Sequence, residues 1–121
     1  MKGLLMIGAG LMALGVAFGA FGAHALKERL APNMLANWQT GVLYHMVHAL
    51  GIIGIASVLM RVSISQFNIA GWLMFAGIVF FSGSLYVMAL TGITKLGAVT
   101  PIGGVLFIAA WVFVIVGAFK L

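Results

Sequence analysis

Four apolar runs, at residues 3–23, 41–60, 69–90 and 99–119, contain between them no Lys, Arg, Asp or Glu. Each is about 20 residues long. Wound into a helix rising about 1.5 Å per residue, each would measure about 30 Å, the thickness of a bilayer's hydrocarbon core. None shows the apolar–polar alternation of a membrane β-strand. The runs predict an all-α membrane protein, a four-transmembrane-helix bundle forming a single integral membrane domain over residues 1–121. The chain is 64% hydrophobic and 6% charged, against about half and about a quarter in soluble domains, which excludes a soluble enzyme and a disordered segment. With no cysteine, a disulfide-stapled fold is excluded as well. Lys2, the first run and Ala23-His24-Ala25 resemble a secretory leader. The run is longer than the roughly 7–15 residues of a leader's core, so it is read as an uncleaved first helix.

The connections carry the charge. Residues 61–68 and 91–98 are short polar hairpins, whereas residues 24–40 are longer and hold the sole acid, Glu28, between Lys27 and Arg29. Leu26, Leu30, Met34, Leu35 and Trp38 are interspersed there, and Pro32 is expected to break any continuous helix. That stretch reads as an interfacial segment anchored by Trp38. The formal net charge of +5 comes from bases that stand singly or in a pair, with no cluster able to track phosphates, so nucleic acid is not a partner. One membrane face (side A) receives Lys2, Arg61 and Lys120, and the other (side B) receives Lys27, Arg29 and Lys95. This balance gives the positive-inside rule little to act on; Lys2 beside the first helix favours cytoplasmic termini.

Glycines pattern the first helix. Gly8, Gly15 and Gly22 recur every seven residues, and Gly15 with Gly19 forms a GxxxG pair. Small residues let helix backbones approach closely in lipid, so these four predict helix packing, either within the bundle or between two copies. The string GAGLMA at residues 8–13, with Glu28 downstream, matches a dinucleotide-binding fingerprint. It is rejected because it lies inside an unbroken apolar run rather than at a strand-to-helix turn.

The few embedded polar residues are unevenly distributed. His24 closes helix 1, while Tyr44, His45 and His48 open helix 2. Ser82, Ser84 and Tyr86 lie late in helix 3, and Thr100 opens helix 4 beside Pro101. All fall in the side B half, beneath the connection bearing Glu28. A polar group in hydrocarbon needs a partner or water, so a polar, hydrated cavity is expected there. Tyr44 and His48, four apart, share a face. His48 is too deep to reach water and should pair with Ser82, Tyr86 or Glu28. Three readings follow: a structural hydrogen-bond network, a pocket for a lipid headgroup or small amphiphile, or a metal or haem site using His24, His45 and His48. Hydrolysis by Ser82 with His48 and Glu28 is disfavoured for want of carboxylates, so no enzyme is expected. Pro101 fits the first turn of helix 4, where its missing N–H costs nothing. The alternative is a distorted helix start lining the cavity.

The strings FGAHAL (Phe21 to Leu26), WQTGVLYHMVHAL (Trp38 to Leu50), FSGSLYVMALTG (Phe81 to Gly92) and LGAVTPIGG (Leu96 to Gly104) occur in order. Through them the chain resembles, over essentially its whole length, a family of small bacterial inner-membrane proteins of unknown function with a eukaryotic relative called transmembrane protein 256. The resemblance implies four membrane helices in the bacterial inner (plasma) membrane, with no established activity and no catalytic residues to carry over. The expected function is binding of a lipid headgroup or small amphiphile in the polar cavity, with membrane lipids as partners and no resident cofactor. The alternatives are a subunit of an oligomeric transporter or channel, made of several identical copies, and a haem- or metal-binding protein.

Overall fold

The computed structural model describes residues 2–121. Helix α1 spans Lys2–His24, α2 Pro32–Leu59 and α3 Ser65–Gly77. A π-helical turn, Ile78–Ser82, joins α3 to α4 (Gly83–Thr91), and a 3₁₀ turn, Thr94–Ala98, leads into α5 (Thr100–Ala118). Since α3, the π turn and α4 run as one rod, Ser65–Thr91, the chain has four helical rods long and apolar enough to cross a membrane, and no strand among the described residues. Gly92 ends the third rod in the left-handed region (φ 75°) and returns its N–H to the carbonyl of Met88.

The second helix begins at Pro32 rather than near residue 41. Proline ends a helix only from inside; at the first position its fixed φ suits the helix and no hydrogen bond is lost. Pro32 therefore starts α2 instead of breaking it, and the interfacial segment shrinks to residues 25–31. Trp38 is drawn into the bundle with that extra length. It is 2% exposed, not an anchor at the headgroups, and its indole N–H donates to the carbonyl of Phe18 at 2.9 Å.

The rods pack in series: α1 on α2, α2 on the third rod, and the third rod on α5. The main core joins Leu4, Ile52, Phe67, Met74, Ile78 and Phe107; a second cluster of Leu26, Trp38, Tyr86 and Ala89 lies towards side B. Large apolar side chains such as Val105, Ile108, Val112 and Ile115 point outward, as expected of a chain whose solvent is lipid. Close approach depends on glycine. A Cβ on Gly8 would sit 2.8 Å from Ile53 Cγ1, on Gly15 2.8 Å from Met46 Cγ, on Gly19 3.3 Å from Val42 Cγ1 and on Gly22 2.6 Å from Trp38 Cδ1. These four α1 glycines therefore face α2 of the same chain, whereas a Cβ on Gly3 or Gly10 would meet nothing within 4 Å.

The π turn resolves a spacing problem in the third rod. Met74, Ile78 and Ser82 are all buried and four residues apart. In a regular α-helix two such steps would drift about 80° around the axis. The wider turn absorbs that drift, and the N–H of Gly83 reaches back five residues to the carbonyl of Ile78. Its backbone is met by α5: a Cβ on Gly103 would collide with the backbone nitrogen of Phe81, and one on Gly77 with the ring of Phe107. The departure from regular helix thus lies at the π turn, whereas Pro101 sits in the first turn of α5.

Candidate functional site

His45 is 1% exposed and ties three rods together. Its Nε2 lies 2.7 Å from the carbonyl oxygen of Leu11 on α1, and its Nδ1 lies 2.8 Å from the hydroxyl of Tyr86 on α4. A carbonyl only accepts, so Nε2 carries the hydrogen and Nδ1 accepts from the Tyr86 O–H; the hydrogen positions follow from the network. Gly15 leaves the ring room to reach α1, since a Cβ there would already touch His45 Cδ2 at 3.4 Å. Phe18 and Trp38 enclose the tyrosine, with ring centroids 5.0 and 4.6 Å from that of Tyr86.

His48, one turn deeper, uses different partners. Its Nδ1–H donates to the carbonyl of Tyr44 at 2.8 Å, and its Nε2 accepts from the indole N–H of Trp111 on α5 at 3.0 Å. The imidazole lies flat on Phe107, with centroids 3.6 Å apart and planes within 8°. The Tyr44 ring lies nearly parallel to both, 6.2 Å from each. The partners expected for His48 were Ser82, Tyr86 and Glu28, and none of them serves. Trp111 does. It is counted with the hydrophobic residues, yet its N–H has no acceptor in lipid, and a tryptophan mid-span was the available signal.

The remaining polar groups pair locally. Ser82, 0% exposed, donates to the carbonyl of Gly41 at 2.7 Å, joining the π turn to α2. Ser84 donates to the carbonyl of Phe81 at 2.9 Å and lies 2.6 Å from Thr100 Oγ1, so the Thr100 hydroxyl donates to Ser84. His24 and Glu28 are exposed on the connecting side and stand apart from this network. The buried side B polar groups therefore bond to one another or to main-chain carbonyls, while Tyr44 is exposed. Both buried imidazoles commit both ring nitrogens to the protein. Among the described residues no group of three or more His, Asp or Glu is placed to hold a metal.

Open space lies in the opposite half. Beyond the His48–Trp111 bond, α2 and α5 diverge around a groove of about 410 Å³, walled by Gly51, Gly54 and Val58 on α2 and by Trp111, Val114 and Ala118 on α5, with Phe67 of α3 also lining it. The lining is almost wholly apolar. A Cβ on Gly54 would meet nothing within 4 Å, so no contact inside the chain requires glycine there. On the far side of the α2–α3 hairpin, Ser63, Ser65 and Asn68 line a more polar pocket of about 400 Å³, where Asn68 Oδ1 is buried without a hydrogen-bond partner.

The family described as "Protein of unknown function (DUF423)" matches residues 18–104, which hold every buried polar side chain above; the exposed Trp111 lies outside them. The UPF0382 membrane protein YwdK of Bacillus subtilis (strain 168) is 50% identical over 79 residues, 64% of each chain. A UPF0382 membrane protein of Staphylococcus saprophyticus is 47% identical over 121 residues, the full length of both. No solved structure matches the chain. With four membrane-spanning rods and a family match over most of its length, the chain belongs to this family of membrane proteins of unknown function.

Proposed function

We propose that the chain is a bacterial plasma-membrane protein, its termini cytoplasmic, that holds one membrane amphiphile by seating an acyl chain in the groove between α2 and α5. The observation that carries this reading is the groove itself: about 410 Å³, apolar, floored by a glycine that nothing in the chain needs. An unbranched acyl chain is the bilayer component whose cross-section suits a furrow between two helices. Filling it restores dispersion contacts that a void would forfeit. The paired histidines support the same reading from the other half, because the His48–Trp111 bond closes the groove's inner end.

The test is native mass spectrometry of protein released from mild detergent. The wild-type chain should carry one lipid mass, and Gly54→Leu, which projects a side chain into the groove from a position where a Cβ meets nothing within 4 Å, should keep its helical circular dichroism and thermal midpoint while losing that mass. A wild type bare of lipid, equal retention by Gly54→Leu, or a dimer that Gly54→Leu dissociates would each overturn the reading. The last outcome would make a second copy the occupant.

A further inference from the structure

An apolar groove cannot select its guest by hydrophobicity, since in a bilayer the competing solvent is itself acyl chain. Selection has to come from the headgroup, and the groove's mouth is chemically distinctive. It opens at side A, where α2 and α5 end. Arg61 follows the Val58 wall by three residues, and Lys120 lies between Ala118 and Leu121, both of which line the groove. Both bases are exposed. The chain's only carboxylate side chain, Glu28, is in the connection on side B, so no acidic side chain competes for them.

Resting on the acyl-chain reading above, we infer that the groove takes an anionic phospholipid, its phosphate held between Arg61 and Lys120 while one acyl chain runs inward towards Trp111. Arginine suits the role because its planar fork engages phosphate oxygens in pairs, and lysine adds a mobile point charge. The C-termini of α2 and α5 oppose an anion, each with about half a negative charge. That opposition fades within one helical turn, and both long side chains can extend past it to the headgroup level. Each base at a membrane surface favours anionic lipid by about fivefold. Two bases less the helix-end opposition leave about a tenfold preference.

The experiment uses full-length protein in nanodiscs of equal parts phosphatidylglycerol and phosphatidylcholine with identical acyl chains, the bound lipid being read by native mass spectrometry. Wild type should be enriched about tenfold in phosphatidylglycerol. Arg61→Gln/Lys120→Gln should still carry one lipid, but at a ratio within about twofold of the disc composition. Lys2→Gln removes one positive charge from the same face, on a helix that lines no part of the groove, and should keep the enrichment. Unselective wild type, enrichment surviving in the double variant, or an equal loss in Lys2→Gln would overturn headgroup selection. Lipid retention itself, lost only in Gly54→Leu, reports separately on the acyl-chain reading.

Discussion

An imidazole in hydrocarbon presents two polar atoms and no water to satisfy them, and His45 and His48 solve this with different partners. His45 draws on a main-chain carbonyl and a phenol; His48 draws on its own helix and an indole. Trp111→Phe keeps the aromatic body and removes the donor, leaving His48 Nε2 unpaired. It should destabilise the fold by about 0.6–2 kcal/mol, the range of interhelical hydrogen bonds in membranes. Tyr86→Phe should cost a similar amount through His45 Nδ1, and because the two networks share no bond, the double variant should be additive within about 0.5 kcal/mol. Unfolding in mixed micelles measures all three, and a sub-additive double variant would show the networks to be one. Because both rings are engaged at both nitrogens, purified protein should also lack a Soret band; a strong one would mean that a histidine leaves its partner for iron. Seven of the sequence-marked side chains, Tyr44, His45, His48, Ser82, Ser84, Tyr86 and Thr100, do lie in these hydrogen-bonded or stacked groups. The pairing was not legible: Trp111 was hidden by its apolar class, and a partner on another helix depends on rotation about helix axes that spacing does not encode.

Elements depart from regularity where two of them must touch. The π turn at Ile78–Ser82 turns Ser82 towards Gly41, and Gly103 lets α5 lie against its backbone at Phe81. Gly103→Ala should therefore destabilise by about 1–3 kcal/mol, as overpacking does, because the obstructing atoms are main chain and cannot rotate away. Gly54→Ala should be neutral or stabilising by up to about 1 kcal/mol, since it relieves glycine's helix penalty and meets nothing. Thermal melts in one detergent would compare them, and equal midpoints would mean that α5 does not pack on the π turn as closely as described. The four spans themselves were readable, because each is an uncharged run of membrane length. The start of α2 was not, since Pro32 carries the same local signal whether it ends a helix or begins one. The π turn left only a trace, the buried four-residue spacing, which is visible once burial is known.

At the scale of the whole molecule the two membrane halves differ in kind. The side B half holds the paired polar groups and aromatic rings; the side A half opens into an apolar groove with bases and no acidic side chain at its rim. Reporters fused to each end should lie on the same face, fluorescent as green fluorescent protein and inactive as alkaline phosphatase if the termini are cytoplasmic. Opposite results at the two ends would contradict four crossings, and phosphatase activity at both would reverse the orientation. Membrane residence, helical secondary structure and the number of crossings follow from local composition, because in lipid a long uncharged run has no stable alternative to satisfying its backbone as a helix. Which faces meet does not follow. Gly8, Gly15, Gly19 and Gly22 could serve two chains or one by spacing alone, and only the tertiary structure shows them against Ile53, Met46, Val42 and Trp38 of the same chain. The same packing closes the half where polar residues are concentrated and opens the half where they are scarce, because polar groups without water seek one another, and the open space is left where no such bonds draw the helices together.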